Sequence, residues 1–307
     1  MSSRNGVKLP STKPHRPAEQ PEKNRRITVA SPAKINTFLH VHQPRQDGFH
    51  QLITYFQLID LYDDITFTVN RTGGIRVDNP AVDIDEKKDL CYRAAKLLQS
   101  RTNHRLGVDI RVNKRIPDGA GLGGGSSNAA TVLMVLNQLW DVGLAKHELL
   151  DLGLQLGSDV PVFIYGKSTL ATGRGEKFIP LDFNNPVDNK SIIVIKPKVH
   201  VSTTKIFQSE FLTKRAGTGT IRDLDIATLI QRGENDFTSV VLRLYPEISQ
   251  IAKRLSMYSP AHLTGTGACL YTVLDDVKKA DKIIDALGSD CQAFVVQALK
   301  TSPLLSK

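Results

Sequence analysis

From Ile27 onward, apolar and β-branched residues nearly alternate with polar ones through RITVASPAKINTFLHVHQ (26–43). Pro32 interrupts the run, so the pattern predicts two short strands meeting at a proline kink or bulge. PRQDGFH (44–50) reads as a loop turning at Asp47-Gly48. Residues 51–69 are dense in β-branched and aromatic side chains and predict a strand. Gly73-Gly74 and Asn79-Pro80 mark turns over 71–80. Spacings of three and four predict helices over 90–101, 128–140 and 148–157, and alternation predicts a strand over 106–116. PVFIYG (161–166) is a short buried segment, and 171–181 a turn between strands. Residues 191–197 predict a strand, and 202–260 mostly helix broken by AGTGT (216–220). A strand, Gly-rich turn and strand (262–274), a helix (277–288) and a last strand (293–299) complete the chain. Strands and helices mix without strict βαβ alternation, which makes the class α+β.

One stretch stands out. Between the predicted strand at 106–116 and the predicted helix at 128–140 lies PDGAGLGGGSSN, Pro117 to Asn128. Its five glycines let a backbone come close to a ligand. The helix that follows offers unpaired N–H groups and the positive end of its dipole. The combination predicts a phosphate site. A serine-capped turn is the plainer reading, but one cap needs one serine and one glycine, not this density. The loop is not a Walker A sequence, because Gly125 is followed by Ser126 and no lysine. Gly119, Gly121 and Gly124 match GxGxxG in form. The acid at the expected distance, Asp141, ends a helix instead of a second strand, which argues against a nucleotide-binding oxidoreductase.

Charge and composition narrow the setting. The 307 residues carry a formal net charge of +9. Residues 1–26 hold seven bases and two acids, 7 − 2 = +5, leaving 9 − 5 = +4 for the remainder. That segment has four prolines and little to bury, so it is expected to be a disordered basic extension. It lacks aromatics, and nucleic acid is not an expected partner. Three scattered cysteines without a CxxC pair fit a reducing compartment. No apolar run approaches a membrane span, and no apolar secretory segment opens the chain. The expectation is a cytoplasmic protein with small anionic substrates and no membrane partner.

PDGAGLGGGSSNAA resembles the second motif of the GHMP kinases (galactokinase, homoserine, mevalonate and phosphomevalonate kinases). SPAKINTFLHV (31–41), RQDGFHQLITYFQLIDLYD (45–63) and GSDVPVF (157–163) resemble, within that superfamily, the 4-diphosphocytidyl-2-C-methyl-D-erythritol kinase family. The likeness continues through TGRGE (172–176), END (234–236) and LTGTGAC (263–269), and spans roughly residues 30–295. It implies an N-terminal domain like the second domain of ribosomal protein S5 (27–180) and a ferredoxin-like C-terminal domain (181–307), with a soft boundary because the last strand can pack back onto the first domain. It implies transfer of the γ-phosphate of ATP, with Mg²⁺, to the C2 hydroxyl of 4-diphosphocytidyl-2-C-methyl-D-erythritol, in the non-mevalonate (methylerythritol phosphate) route to isoprenoid precursors.

The same resemblance implies roles for residues. Pro117, Asp118, Gly119, Ala120, Gly121, Leu122, Gly123, Gly124, Gly125, Ser126, Ser127 and Asn128 would cradle ATP, with Ser126 or Ser127 near the metal; no carboxylate ligand is identifiable. Asp159, which the sequence alone leaves open between a structural cap and a reactive group, falls on the family's general base. Lys34, otherwise an exposed strand lysine, would be its cationic partner, and alternation puts Asn36 on the same face. Asn36, Phe49, His50, Lys114, Thr203 and Phe207 would contact the substrate, with Phe49 and Phe207 stacking on the cytosine and His50 reading its edge. Gly265, Thr266, Gly267 and Ala268 resemble the loop that closes beside the phosphates; a plain β-turn is the alternative. Departures from the family pattern are Phe49 for tyrosine, Thr37 for leucine, Val162 for phenylalanine and Thr238 for an acid. The rival functions are another GHMP small-molecule kinase and an RNA-binding protein using the basic extension.

Overall fold

The alternation that starts at Arg26 folds as one long hairpin, β1 (Arg26–Pro44) and β2 (His50–Asn70). Pro32 does not break β1 into two strands. The register shifts between Pro32 and Ala33 instead, and again between Asn36 and Phe38 and between Val41 and Pro44. A bulge absorbs the proline, which has no N–H to give to the ladder. This computed structural model describes residues 26–81, 85–215, 221 and 224–305. Residues 1–25 of the basic extension and the AGTGT run at 216–220 lie outside the described residues.

After the hairpin come β3 (Ile75–Asp78), α1 (Leu90–Thr102) and β4 (Gly107–Asn113). Then α2 (Gly124–Leu139), α3 (Lys146–Leu156) and α4 (Val160–Tyr165) stack against the first half of the sheet. β5 (Thr169–Gly173), β6 (Lys177–Ile179) and β7 (Ser191–Pro197) follow, then α5 (Thr203–Phe207), α6 (Ile226–Arg232), α7 (Thr238–Leu244) and α8 (Pro246–Ser256). The chain closes with β8 (His262–Leu263), β9 (Leu270–Leu274), α9 (Ala280–Leu287) and β10 (Cys291–Leu299). Two elements were not predicted. β3 lies among the turn signals of 71–80 and pairs with β4 in parallel. The buried segment at 161–166 is a helical turn, with Pro161 in its first turn, where a missing N–H costs nothing.

β2 organises the sheet. One edge takes β1; the other takes β5 at 52–56, β10 at 58–59 and β4 at 64–70. β10 continues antiparallel to β7, which pairs β9, so the last strand ties the C-terminal strands back to the N-terminal hairpin. A buried cluster sits at this junction: Ala33, Ile35 and Ile59 from the hairpin, Ile116 and Leu122 from the glycine stretch, and Ile192, Val194, Cys269, Tyr271 and Val296 from the C-terminal part. Each such side chain contributes about 1.5–3 kcal/mol when fully buried. The faces that flank the glycine loop are therefore held rigidly together. Among the described residues no helix is long and apolar enough to cross a membrane.

Candidate active site

The short stretch of β1 between its first two register shifts, Ala33 to Asn36, carries the first side chains of the site. Ala33 and Ile35 go into the core, and Lys34 and Asn36 face the other way, as the alternation requires. The Lys34 amide donates to the carbonyl of Leu122 at 3.0 Å, which pins the strand to the glycine loop. The Lys34 side chain is only 3% exposed. A buried ammonium needs compensation. It donates to Asn36 Oδ1 at 2.7 Å and pairs with Asp159 Oδ2 at 3.2 Å, with the Phe56 ring 5.4 Å away. Asn36 passes the network on: its Nδ2 donates to Thr54 Oγ1 at 2.8 Å, and Thr54 donates to the Phe38 carbonyl.

Asp159 occupies the N-cap position of α4, yet its side chain makes no capping bond. The carboxylate turns instead to Lys34, and it is 37% exposed. Lysine and carboxylate thus meet from positions 125 residues apart (159 − 34 = 125).

The glycine stretch forms the adjoining wall. Helix α2 begins at Gly124, inside the run and four residues ahead of the predicted start. Gly123 caps it in the left-handed conformation with φ of 72°. A Cβ there would fall 2.9 Å from Phe163 Cζ and 3.2 Å from Lys34 Cε. Gly121 has φ of 79°, and a Cβ would stand 2.5 Å from the Thr264 carbonyl oxygen. These two positions require glycine because other backbone and side chains already fill the space. The contacts also lock the glycine loop to the loop at 263–269, where Cys269 N donates to the Ala120 carbonyl and Thr264 Oγ1 accepts from Asn36 N.

A cleft of about 730 Å³ opens onto these groups, within the range of small-molecule sites. Lys34, Asn36, Phe49, His50, Pro117, Asp118, Gly119, Ala120, Gly121, Gly123, Gly124, Gly125, Ser126, Asp159, Thr203, Phe207, Gly265, Thr266 and Gly267 line it, so most of the expected site residues converge. Five do not. Ser127 is buried and turned inward, donating to the Pro32 carbonyl at 2.6 Å and sharing a hydrogen bond with Ser31 Oγ. Leu122, Asn128 and Ala268 are buried beneath the loops. Lys114 is held by Asp63 at 2.7 Å and Asp118 at 3.3 Å and does not line the cleft. Of the two serines, Ser126 is the one on the cleft.

The far end of the cleft is aromatic, and Phe49 and Phe207, expected on either side of a cytosine, both line it. His50 faces Phe207, with ring centroids 5.3 Å apart, and Phe207 meets Phe237 edge-on. The Phe49 face is covered by Arg174, whose guanidinium carbon lies 3.6 Å from the ring centroid. A guanidinium plane on an aromatic face is a favourable cation–π contact. His50 titrates below its ordinary range, because burial and then the charge of Lys214 disfavour the imidazolium. Its Nε2 is buried without a hydrogen-bond partner among the described residues. Thr203 Oγ1 and Thr266 Oγ1 meet at 3.0 Å where α5 approaches the 263–269 loop.

Several contributors were not singled out from sequence. Arg174 lines the cleft and donates to Ser158, the neighbour of Asp159. Thr54 and Thr264 complete the Asn36 network. Asp63, fully buried, accepts from the backbone of Arg115 and Ile116 and from Lys114, and so fixes the approach to the glycine loop. TGRGE was visible as a motif; the Thr54 and Asp63 contacts carry no local signal. Cys269 behaves as a buried apolar residue, its thiol pushed up to about 12 by burial.

Comparison with known proteins gives the family. Residues 89–167 match the family model GHMP kinases N terminal domain, and residues 222–293 match GHMP kinases C terminal. Fold and matches together define a GHMP kinase. The chain is 42% identical over 273 residues to the 4-diphosphocytidyl-2-C-methyl-D-erythritol kinase of Mannheimia succiniciproducens, covering 89% of this chain and 88% of that one. It is 42% identical over 281 residues to the protein of the same name from Acinetobacter baylyi, covering 91% and 97%. A crystal structure of 4-(cytidine 5'-diphospho)-2C-methyl-D-erythritol kinase superposes with a TM-score of 0.73 at 29% identity, covering 89% of this chain and 99% of that chain. Homoserine kinase from Cytophaga hutchinsonii, at 18% identity and TM-score 0.68, shares the fold. The chain belongs to the 4-diphosphocytidyl-2-C-methyl-D-erythritol kinase family.

Proposed function

We propose that this chain transfers the γ-phosphate of ATP to the C2 hydroxyl of 4-diphosphocytidyl-2-C-methyl-D-erythritol, a step toward isoprenoid precursors. The use of ATP follows from membership of the GHMP kinases. The observation that carries the residue assignment is the Lys34–Asp159 pair, 3.2 Å apart beside the glycine loop. Asp159 accepts the hydroxyl proton as the oxygen bonds to the γ-phosphorus and the bond from that phosphorus to the leaving ADP oxygen breaks. Lys34 orients the carboxylate and offsets charge on the moving phosphoryl group. The first amides of α2 and the glycine backbone receive the triphosphate.

The hydroxyl of Ser126 on the cleft is an oxygen donor of the kind Mg²⁺ accepts alongside phosphate oxygens and water. When bound, that ion neutralises charge on the phosphates. At the other end, the neutral imidazole of His50 offers one donor and one acceptor to a cytosine edge. Phe207 supplies a stacking face, and the Phe49–Arg174 pair a second planar surface.

Two variants test the reading. Asp159→Asn retains affinity for both substrates and loses at least about 100-fold in kcat, the lower range for loss of a general base. Phe207→Ala raises KM for the cytidine substrate far more than KM for ATP. Full turnover by Asp159→Asn removes Asp159 from the chemistry, and equal KM changes remove the stacking role.

A further inference from the structure

Glu234-Asn235-Asp236 touches no substrate-sized space in the main cleft, yet it joins two elements that bound the cleft. On one side it grips β1 just beyond the lysine. Leu39 N donates to the Glu234 carbonyl at 2.7 Å, Asp236 N to the Leu39 carbonyl at 3.0 Å, and Val41 N to Asp236 Oδ2 at 2.8 Å. On the other side Asn235 holds the loop at 263–267. Its Nδ2 donates to the carbonyls of Leu263 at 3.0 Å and Gly265 at 2.9 Å, and its Oδ1 accepts from Phe237 N at 2.9 Å. Asn235 is 8% exposed, so water does not replace these bonds readily. The loop it holds is the one whose Thr264 carbonyl abuts Gly121 and whose Thr266 and Gly267 line the cleft.

We infer that Asn235 is a positioning residue for phosphoryl transfer: its amide sets the 263–267 loop in register with the strand that carries Lys34. The inference rests on the proposed kinase reaction. One carboxamide has both hydrogens committed to carbonyls of the loop, while its own peptide segment is hydrogen-bonded to β1. Any shift of the loop relative to Lys34 must therefore break bonds at Asn235. A displacement of about 1 Å among reacting groups costs up to about 100-fold in rate.

Asn235→Asp provides the test, because it changes the donor and not the size. As a carboxylate it offers no hydrogen to either carbonyl and repels both. As a carboxylic acid it offers one. The charged and titratable groups around it are Arg232, Glu234, Asp236, Arg215, His40 and His262, all unchanged in the variant. The expected result is a kcat about 10- to 100-fold below wild type at pH 8, with both KM values little changed. The ratio of variant to wild-type kcat recovers as pH is lowered toward 6. Hydrogen exchange at residues 263–269 is faster in the variant at pH 8, a readout that needs no substrate. Asn235→Ser, which keeps one donor, loses kcat to an intermediate degree and stands in if the aspartate variant does not fold.

Wild type assayed alongside separates the two claims. Turnover of the cytidine substrate by wild type tests the proposed function, whereas the exchange rates and the variant ratio test Asn235. Unchanged loop exchange, a kcat equal to wild type, or a loss that is the same at every pH overturns the inference.

Discussion

Lys34→Met isolates what the buried amine does. Methionine is close to lysine in length and occupies the slot between Phe56 and the Gly123 backbone without a cavity. Two interactions disappear: the 2.7 Å bond to Asn36 Oδ1 and the 3.2 Å pair with Asp159. Removing one partner of a buried ion pair costs about 3–5 kcal/mol where the other charge is left buried. Leaving Asn36 Oδ1 buried without its donor costs about 1–3 kcal/mol. Asp159 is open enough for water to solvate it, so it adds little. The net cost is then about 1–3 kcal/mol, and at about 2–4 °C per kcal/mol Tm falls by about 2–12 °C. Activity behaves differently. Without the cation, the carboxylate loses its orientation and the transition state loses a fixed positive charge, a loss of about 100- to 1,000-fold in kcat. ADP release with the cytidine substrate, measured beside a thermal melt, gives both numbers. A variant within about threefold of wild-type turnover refutes the role assigned to Lys34. So does an activity loss that only mirrors unfolding.

Gly121→Ala forces a Cβ to 2.5 Å from the Thr264 carbonyl oxygen at a positive φ. The expected result is a raised KM for ATP and a lowered Tm; an unchanged KM for ATP shows that this wall does not hold the nucleotide. The buried histidines set an acid limit on stability. Burial lowers the pKa of His262, and burial followed by the charge of Arg215 lowers that of His40 below 6.5, with Asp236 and Glu234 opposing. Both are neutral in the folded chain, so the unfolded chain binds more protons as pH falls below about 6.5. Their contribution to stability is present above that pH and is lost as pH drops through the folded pKa values. Tm measured from pH 8 to 5 should fall, and His262→Gln should flatten part of the slope. A flat profile in the wild type contradicts the assignment.

Local pattern alone made part of the site legible. Lys34 and Asn36 share a face by strand alternation, and the register shifts that could have separated them fall on either side. The glycine stretch that walls the cleft was readable from its density. The start of α2 was not, because glycines are poor helix formers and the helix extends back through them under the burial of Ala129 to Leu136. Ser126 and Ser127 are equivalent in sequence; the pitch of α2 and the nearby Pro32 carbonyl decide which one turns inward. Arg174 reaches Phe49 from the β5–β6 turn, a contact that the motif positions did not announce. That contact spans 125 residues and has no periodicity to betray it. β3 was masked by its own turn residues and owes its existence to the open edge of β4.

The asymmetry of the central pair suits the roles proposed for it, Lys34 as scaffold and Asp159 as reagent. Lys34 is almost wholly enclosed, and its charge is committed to two oxygens. Asp159 is more than a third exposed, anchored on one side and open to the cleft on the other. Had Asp159 capped α4, as an aspartate at that position commonly does, its oxygens would be taken up by backbone amides and made less basic. Had Lys34 been the exposed member, its flexible stem would swing among solvent positions. The fold instead buries the cation to fix where it points and leaves the carboxylate proposed as the base open to the cleft. The left-handed Gly123 is what keeps this possible, because a side chain there would collide with the lysine stem and with Phe163.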